Sequence, residues 1–546
     1  MKQFINISRR YLSSTRINSQ VNLTFFTKDN CMLCTNAKNI LHGTLKSPDL
    51  AKVPIKLTTI DIMDPKNQEW FDKYCYDVPV LHVDRPDQPK PTLITIRGPD
   101  ATKFLNGLIT SRLLPNIVKK KQHTISESEE NRNVNLSEII DVSKNYGLIH
   151  EDIYDPDGTI TISRDGINSM ILNSKGRVVT DCFLYPEPFH NLDGMFDKEM
   201  EQPGFVLEVD SSISSQLMML LKLHKLSAKV DISPDKSLFS YYYYNDTVQF
   251  DEWLEEIQFK YLKSQDPVTA LQDANSFIKE ELFFNSDIAK NILGFAVDNR
   301  IPNFGVKFVT NKPISNDNPE GIPLESVFSS QFKEKFDTTT IAEDEVIRRR
   351  FENGVFETQD APKGTSLLPF ECNLDYVNGL SLDKGCYVGQ ELTIRSFNNG
   401  VIRKRIFPVQ FFEITDESLD YLQHHPIELD SQDPIVDVFT GIPDSTLTKL
   451  EITPLQEKSE SNPESDGQDP SASTAAAASP FASTRSVRKR KTSIGKLMSR
   501  QDNLGLVLFP VADVEKNQFY KLEVPSLEDG HKHIGLKVGI PDWWPE

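Results

Sequence analysis

Apolar and polar positions separate a short N-terminal part of the chain from a long remainder. In the first part, apolar runs at Val21–Phe26, Ile55–Ile62 and Val78–Val83 surround a helical spacing from Thr35 to Leu45. Short apolar runs bounded by turn residues predict strands, whereas a 3.6-residue spacing predicts a helix. This order of elements predicts a small α/β domain over residues 21–90.

From residue 92 onward, strand-like runs are joined mainly by tight turns. Lys175-Gly176-Arg177 separates two such runs, which predicts a β-hairpin. Residues 212–226 have helical spacing, residues 241–250 have a strand-like pattern, and the polar residues 119–160 are interpreted as an insertion or loop. Because hairpins dominate and helices are interspersed, the predicted fold class is α+β.

An acidic segment rich in Pro and Ser divides the C-terminal part. Residues 411–486 end close to a run of alanines and lack the apolar residues for a core, so we predict a disordered insertion. Strand-like runs resume at Ile494–Ser499 and Leu504–Leu508 and predict a small β-barrel segment over residues 487–546. The body over residues 92–410 is then a separate folded domain.

The net charge and the cysteine content restrict which partners and which cellular compartment are expected for the chain. The formal net charge of −19 speaks against a nucleic-acid partner, because binding to phosphates needs clustered positive charge. No apolar run approaches the roughly 18–20 residues of a membrane helix, so no membrane partner is expected. Six cysteines without the spacing of a disulfide framework indicate a reducing compartment.

The first residues have the composition of a targeting segment. The first 28 residues contain no Asp or Glu, carry Lys2, Arg9, Arg10 and Arg16, and are rich in serine. This composition is typical of a mitochondrial transit peptide, which we place at residues 1–20, with the matrix as its destination. The alternative is a basic N-terminus that carries no address.

Cys31-Met32-Leu33-Cys34 directly follows the first predicted strand and begins the first predicted helix. A cysteine pair at a helix N-terminus feels the positive end of the helix dipole, which lowers a thiol pKa. The layout resembles the small glutaredoxin-like proteins of the thioredoxin fold, in a form that lacks the last strand and helix. Cys31 and Cys34 are therefore a candidate redox pair; half of a metal site is the alternative.

A second thiol stands in the octapeptide Lys384 to Glu391, Lys-Gly-Cys-Tyr-Val-Gly-Gln-Glu. Two glycines allow a tight turn around Cys386, and a nearby cation such as Lys384 can favour the thiolate. Nucleophilic catalysis by Cys386 would need a base, and no histidine motif lies beside it. What remains is a thiolate offered to a partner, as one ligand of a shared cluster or as a redox-sensitive contact, or else a turn with an incidental thiol.

Four motifs in fixed order carry a family resemblance. They are Gly98-x-Asp100-Ala101 with Phe104 to Leu108, Leu172-Asn173-x-Lys175-Gly176-Arg177-Val178, Asp298-x-Arg300-x-Pro302, and Lys384 to Glu391. In these motifs the chain resembles the YgfZ/GcvT-like folate-fold family, most closely its mitochondrial branch of iron–sulfur cluster assembly factors. The resemblance covers roughly residues 92–410 and resumes near 490–546.

The resemblance implies a folate-binding architecture related to the aminomethyltransferase of the glycine cleavage system, with tetrahydrofolate as a candidate cofactor. That enzyme uses two adjacent acids on its hairpin, whereas this chain has Thr180-Asp181. A hydroxyl cannot exchange a proton near neutral pH as a tuned carboxylate does, which speaks against aminomethyl transfer.

The candidate cofactor-binding residues lie in three places. Arg350 and Glu352 resemble the family's pterin-side stretch; an ordinary surface ion pair on a strand is the alternative. Further candidates flank the hairpin and the thiol, namely Asp181, Lys384, Gln390 and Glu391.

Three functions follow from these features. The first is a mitochondrial assembly factor, not an enzyme in the ordinary sense, which promotes maturation of 4Fe–4S proteins with IscA-type scaffolds and handles a transient cluster at Cys386. The second is a folate-dependent one-carbon transferase. The third is a dithiol–disulfide oxidoreductase that uses Cys31 and Cys34. The first and third are compatible in one polypeptide.

Overall fold

A computed structural model gives the fold of most of the chain. It describes residues 21–28, 31–45, 55–64, 67, 71, 78–84, 91–115, 136–155, 159–316, 318–398, 400, 402–439, 442, 444–455, 493–526 and 530–545. The chain divides into two compact units between Lys90 and Pro91. The predicted transit peptide, residues 1–20, lies outside the described residues.

The N-terminal unit is a three-stranded sheet with one long helix. Its elements are β1 (Val21–Thr27), α1 (Met32–Leu45), β2 (Ile55–Asp61) and β3 (Val80–Asp84). The strand order is β2-β1-β3, with β1 parallel to β2 and antiparallel to β3. The predicted strand–helix–strand–strand order is confirmed, and Cys34 is buried in the small core of this unit.

The second unit begins with a five-stranded antiparallel sheet in the order β10-β4-β9-β8-β7. Its strands are β4 (Pro91–Arg97), β7 (Ile167–Leu172), β8 (Val178–Pro186), β9 (Gly204–Asp210) and β10 (Asp231–Pro234). Two helices, α2 (Ala101–Asn106) and α4 (Ser214–Lys225), bury apolar side chains against this sheet.

A three-stranded sheet in the order β11-β13-β12 follows and packs with two helices around an aromatic core. Its elements are β11 (Phe239–Tyr243), α5 (Val248–Tyr261), α6 (Pro267–Lys279), β12 (Ile292–Val297) and β13 (Val306–Thr310). The prediction of a strand over residues 241–250 is therefore wrong beyond Tyr243. The Thr247 hydroxyl accepts a hydrogen bond from the Phe250 amide, and this cap starts α5.

A six-stranded antiparallel sheet in the order β15-β18-β19-β14-β17-β16 occupies the C-terminal part, where we predicted a small barrel. Its strands are β14 (Lys404–Phe412), β15 (Glu451–Pro454), β16 (Lys496–Gln501), β17 (Leu504–Pro510), β18 (Phe519–Ser526) and β19 (Gly530–Val538). Long apolar runs on β14, β17 and β19 supply its core.

The segment that we predicted to be a disordered insertion, residues 411–486, contains folded elements in its first half. A helix, α10 (Asp416–His424), and the strand β15 lie there, and Ile435, Phe439 and Leu447 bury their side chains in the core of the C-terminal sheet. These apolar residues are scattered among acids and prolines, so the average composition of the segment conceals them. Residues 456–492 lie outside the described residues.

The remaining elements connect these sheets. They are α3 (Leu136–Ile139), β5 (Leu148–Glu151), β6 (Ile160–Ser163), α7 (Ser330–Lys335), α8 (Glu343–Glu352), α9 (Gln390–Asn398) and α11 (Val511–Val514). β5 lies inside the segment that we interpreted as an insertion or loop, residues 119–160, and pairs as a hairpin with β6, which begins at the end of that segment. The predicted α+β class is confirmed.

Candidate functional site

The second unit contains a large cavity of about 990 Å³. A volume of this size accommodates a drug-sized or cofactor-sized molecule. Aromatic side chains line it, namely Tyr154, Phe183, Phe259, Tyr376 and Trp543. Charged and titratable side chains lie among them, namely Arg112, His150, Glu151, Asp152, Asp155, Asp165, Glu255, Lys263 and Arg300.

A histidine–aspartate pair forms part of the cavity wall. The Nε2 atom of His150, on β5, lies 3.1 Å from Oδ1 of Asp165, which follows β6. Asp165 is buried, and this burial raises the pKa of its carboxyl group, while His150 opposes the rise. The same ring nitrogen lies 3.3 Å from the main-chain carbonyl oxygen of Asp165, so Asp165 contacts the imidazole through both its side chain and its main chain.

Arg112 and Glu151 form a second charged pair at the same wall. Nη1 of Arg112 lies 3.6 Å from Oε2 of Glu151, and the guanidinium also donates to the carbonyls of Leu114 and Pro115. Burial raises the pKa of Glu151, and both Ser381 and Arg112 oppose this rise. The loop after α2 is thus anchored beside the β5–β6 hairpin.

Tyr154 and Tyr376 line the cavity with their ring centroids 5.7 Å apart. Asp375 holds both in place, because the Tyr154 hydroxyl donates to it at 2.9 Å and Arg405 forms a buried two-bond ion pair with it. The Arg405 guanidinium lies 3.8 Å from the Tyr376 ring centroid. Strand β14, which carries Arg405, therefore supports the cavity from behind.

Cys386 lies at the surface of the second unit, in the turn before α9. Among the described cysteines it is the exposed one, whereas Cys34, Cys182 and Cys372 are buried and Cys31 is half-buried. A methyl group placed on Gly385 would meet no atom within 4 Å, so the turn is open on that side. The octapeptide therefore offers its thiol outward, as we predicted.

Lys384 does not direct its charge at this thiol. Its ammonium is buried and donates to the carbonyls of Ile109 at 2.6 Å and Ser111 at 2.8 Å. Burial lowers the pKa of Lys384 to about 7, and Glu151 opposes this. Lys384 therefore ties the Cys386 turn to the loop after α2.

The second glycine of the octapeptide has a steric role. Gly389 has a φ of +80°, and a Cβ atom on it would lie 2.5 Å from the carbonyl oxygen of Asn173 and 3.0 Å from the Cα atom of Gly176. Gly176, at the tip of the β7–β8 hairpin, also has a positive φ. Two of the four family motifs thus meet backbone to backbone, which only glycine permits.

Gln390 and Glu391 begin α9 and do not line the cavity. The Glu391 carboxylate is exposed and pairs with Arg395 one turn later at 2.6 Å. The main-chain amide of Gln390 donates to the Tyr387 carbonyl at 3.2 Å, and this bond closes the turn.

The Asp298-x-Arg300 motif belongs to a buried ion network that sequence reasoning did not predict. The Arg300 guanidinium forms two hydrogen bonds with Asp298 and one with Glu357, and Arg350 pairs with both Glu357 and Asp360. Although burial opposes it, the two arginines lower the pKa of Glu357 to about 2. Arg300 also lines the cavity, so the network supports one side of its wall.

Arg350 and Glu352 lie on helix α8 instead of the strand assumed in the surface-pair alternative. Residues two apart point to different sides of a helix. Arg350 is accordingly buried against Asp360, while Glu352 is exposed.

Asp181 also contacts the turn that carries Glu357 and Asp360. Its carboxylate accepts hydrogen bonds from the amide of Thr358 at 2.7 Å and from the Thr358 hydroxyl. Burial raises the pKa of Asp181, and Glu357 adds to the rise. The neighbouring Thr180 hydroxyl donates to the Asp181 carbonyl. The predicted residues Asp181 and Arg350 therefore meet around residues 357–360 and not in the cavity.

These positions decide how well tetrahydrofolate fits the residues predicted for it. The cavity lining does not include Asp181, Arg350, Glu352 or Lys384. The polar side-chain atoms of Asp181, Arg350 and Lys384 form hydrogen bonds with other residues of the protein. The cavity has the volume for such a molecule, but the predicted residue set does not fit it. We therefore derive no step through folate.

The N-terminal unit presents the dithiol at the start of α1. The amide of Cys34 donates to the Cys31 sulfur at 3.2 Å. The hydrogen bonds from the Cys34 thiol and amide lower the pKa of Cys31, with a contribution from Lys28. Cys31 therefore has the character of an attacking thiol, with Cys34 buried behind it.

The described residues show neither a clustered metal site nor a membrane-spanning helix. No group of three or more His, Cys, Asp or Glu side chains comes together there in a metal-binding arrangement. In that part of the chain, no helix combines the length and the apolar character needed to cross a membrane.

Comparison with known proteins identifies relatives of both parts. Residues 22–107 match the family model described as Glutaredoxin-like domain (DUF836). The match continues past the division at Lys90 into β4 and α2, the position of the strand and helix that we expected to be missing. In this structure β4 pairs with β9 and β10 of the second unit's sheet.

Curated relatives match most of the chain. The "Iron-sulfur cluster assembly factor IBA57 homolog, mitochondrial" of Candida albicans is 70% identical over 459 residues, which cover 83% of this chain and 97% of that protein. The "Iron-sulfur cluster assembly factor IBA57, mitochondrial" of Saccharomyces cerevisiae is 32% identical over 64% of this chain and 74% of its own length.

One solved structure, the glycine cleavage system aminomethyltransferase T of Bartonella henselae, aligns with a TM-score of 0.37 and 11% identity over 83% of this chain and 86% of that one. A TM-score this low does not establish a common fold.

Sequence reasoning singled out the cysteines Cys31, Cys34 and Cys386 and did not predict the cavity. His150 and Glu151 lie on β5, within residues 119–160, which we interpreted as an insertion or loop because polar residues surround this short strand. Asp165 follows β6, just beyond that segment. A signal was present, since Leu148-Ile149 and Ile160-Thr161-Ile162 are short apolar runs that can pair.

Proposed function

The chain belongs to the family of mitochondrial iron–sulfur cluster assembly factors named IBA57, and on this basis we propose that it promotes the maturation of 4Fe–4S proteins together with IscA-type scaffold proteins. Its place of action is the mitochondrion. The cluster is the cargo of this function and passes through the protein without being a resident cofactor.

The observation that carries the proposal is the exposed thiol of Cys386. It stands in an open turn whose ends are fixed, by Lys384 on one side and by the contact of Gly389 with Gly176 on the other. Cysteine thiolates are the usual ligands of iron–sulfur clusters. A thiol that is accessible on a rigid base can enter a cluster held mainly by another protein.

Cys386 would act as one ligand in a cluster shared with the scaffold. A 4Fe–4S cluster commonly takes four cysteine thiolates, so the remaining ligands would come from the partner. The rigid turn favours this role, since a preorganised ligand loses less conformational entropy on binding than a flexible one.

The experiment is a replacement of the native copy in a strain by variants of the full chain. We expect C386S to lower the activities of an aconitase-type enzyme and a lipoyl-synthase-type enzyme, both of which need 4Fe–4S clusters. The matched control is G385A, which adds a methyl group in open space beside the intact thiol. Normal activity of both enzymes in the C386S strain would exclude the proposal.

A second function, thiol–disulfide exchange by the N-terminal unit, is favoured by a separate observation. Cys31 has a lowered pKa and receives a hydrogen bond from the Cys34 amide. In this reaction the Cys31 thiolate attacks one sulfur of a substrate disulfide, forms a mixed disulfide with it and displaces the other sulfur as a thiolate. Cys34 then attacks the Cys31 sulfur, which releases the reduced substrate and leaves a Cys31–Cys34 disulfide.

This second function is tested with the purified full chain and a disulfide substrate regenerated by a thiol reductant. We expect C31S to abolish turnover and C386S to leave it unchanged, because the two thiols belong to different units. A C31S variant that turns over at the wild-type rate would remove the N-terminal dithiol from consideration.

A further inference from the structure

Residues 379–388, which flank Lys384 on both sides, are hydrogen-bonded to the loop after α2, residues 107–111, and we call this line of contacts the seam. The Thr110 hydroxyl donates to the Gly379 carbonyl at 2.6 Å, and the Ser381 amide donates to the Thr110 carbonyl at 3.1 Å. Further along, the Val388 amide donates to the Gly107 carbonyl at 3.0 Å. These bonds hold residues 379–388 against residues 107–111.

Both sides of this seam also form the cavity wall. Ser111 and Arg112 line the cavity from one side, and Asn378 and Leu380 line it from the other. The seam therefore starts in the cavity wall and ends at the turn that presents Cys386. Only a few residues separate the two sites along either segment.

Lys384 makes the side-chain link in the middle of this seam. Its Nζ atom donates to the carbonyls of Ile109 and Ser111 and lies 4.6 Å from the centroid of the Tyr387 ring. This one side chain therefore makes two hydrogen bonds across the seam, whereas the main-chain amides of Ser381 and Val388 make one each.

We propose that Lys384 is a positioning residue that couples the cavity wall at Ser111 to the direction and mobility of the Cys386 thiol. A displacement of Ser111, for example by a molecule entering the cavity, moves the carbonyl that Lys384 holds. Because Cys386 is two residues from Lys384, its turn must follow or detach. This inference rests on Cys386 being the working thiol of the proposed function.

The test measures the mobility of a nitroxide spin label on Cys386 in the purified full chain, without any cluster or partner. Cys31, Cys34 and Cys75 are replaced by serine so that the label reports on one site, and Cys182 and Cys372 are buried. We expect K384M to give a more mobile label. We also expect the Val388 amide to exchange its hydrogen roughly tenfold to a hundredfold faster, as the loss of two hydrogen bonds worth about 1 kcal/mol each predicts.

Lys537 provides the matched control. It is a second buried lysine whose ammonium donates to two main-chain carbonyls, those of Leu422 and His425, but it lies in the C-terminal sheet. K537M should lower thermal stability as K384M does and leave the label on Cys386 unchanged. If K384M also leaves the label and the Val388 amide unchanged, Lys384 has only a general structural role and the proposal is overturned.

The coupling itself is tested from the cavity side with S111A. The Ser111 hydroxyl donates to the carbonyls of Asn168 at 2.8 Å and Gly379 at 3.2 Å, so its removal loosens the wall without touching Lys384. We expect S111A to increase label mobility when Lys384 is present and to add nothing in the K384M background. This variant also decides the matter if K384M does not fold, because an S111A label with wild-type mobility contradicts the coupling.

The two failures are distinguishable. A label in K384M that is no more mobile than in wild type refutes the positioning role of Lys384, and the effect of C386S in the strain is then still observed. Normal cluster enzymes in the C386S strain refute the proposed function while the mechanical link between Ser111 and the turn remains measurable.

Discussion

Neutralising Glu357 should destabilise the second unit strongly, because this carboxylate bridges two buried arginines. Glu357→Gln keeps the shape of the side chain and removes its charge, which leaves Arg300 with Asp298 alone and Arg350 with Asp360 alone. The lowering of the Glu357 pKa from 4.5 to about 2 corresponds to about 3 kcal/mol. Breaking a buried ion pair by removing one partner costs a similar amount, about 3–5 kcal/mol.

The dependence on pH follows from the same pKa. Since the pKa of Glu357 is lower in the folded protein than in the unfolded chain, its stabilisation is present above about pH 4.5 and is lost as the pH falls toward about 2. The difference in the free energy of unfolding between wild type and E357Q should therefore be constant near pH 7 and shrink below about pH 4.5.

The assay is chemical denaturation followed by tryptophan fluorescence, to which Trp253, Trp543 and Trp544 of the second unit contribute. The matched control is E345Q, since the exposed Glu345 pairs with Arg348 on the same helix α8, and pairs of a surface carboxylate contribute about 0–1 kcal/mol. An E357Q variant as stable as E345Q would refute the claim that the ion network supports the fold around the cavity.

Three further predictions concern the turn, the dithiol and a helix cap. G389A should lower the free energy of unfolding by about 2–3 kcal/mol, because its Cβ would meet the Asn173 carbonyl at 2.5 Å and its φ is positive. G385A should leave the free energy of unfolding unchanged, and equal stabilities of the two variants by denaturation would speak against the tight contact. The rate of Cys31 alkylation, followed by mass spectrometry of the labelled peptide, should have its pH midpoint below 9.0, and C34A should raise that midpoint. An unchanged midpoint in C34A would contradict the role of Cys34. D266A should lower the free energy of unfolding by about 1 kcal/mol, because the Asp266 carboxylate caps α6 by accepting hydrogen bonds from two main-chain amides. A change near zero would show that water replaces the cap.

The thiol turn could be predicted from the sequence because its signal is local. Two glycines around Cys386 indicate a tight turn, and the structure has an exposed thiol in one. The partners of that turn could not be predicted. Lys384 bonds carbonyls some 270 positions earlier in the chain, and nothing in the octapeptide distinguishes a cation aimed at the thiol from one buried beneath it.

The segments interpreted incorrectly share a physical cause. Tyr241 to Phe250 contains aromatic residues throughout, so its composition conceals the change from strand to helix at the Thr247 cap. Residues 411–454 bury single apolar side chains between polar ones, so no continuous apolar run marks the segment as folded. In both cases the three-dimensional core, and not the local pattern, decides the structure.

We propose that Cys386 enters a cluster shared with an IscA-type scaffold. This is tested by anaerobic mixing of the purified full chain with a cluster-loaded IscA-type scaffold, followed by size-exclusion chromatography that records the iron–sulfur absorption. We expect wild type and G385A to elute with the scaffold as a complex that carries the cluster. We expect C386S to leave the cluster on the scaffold alone. A C386S complex with the same iron content and the same absorption spectrum as wild type would contradict the account.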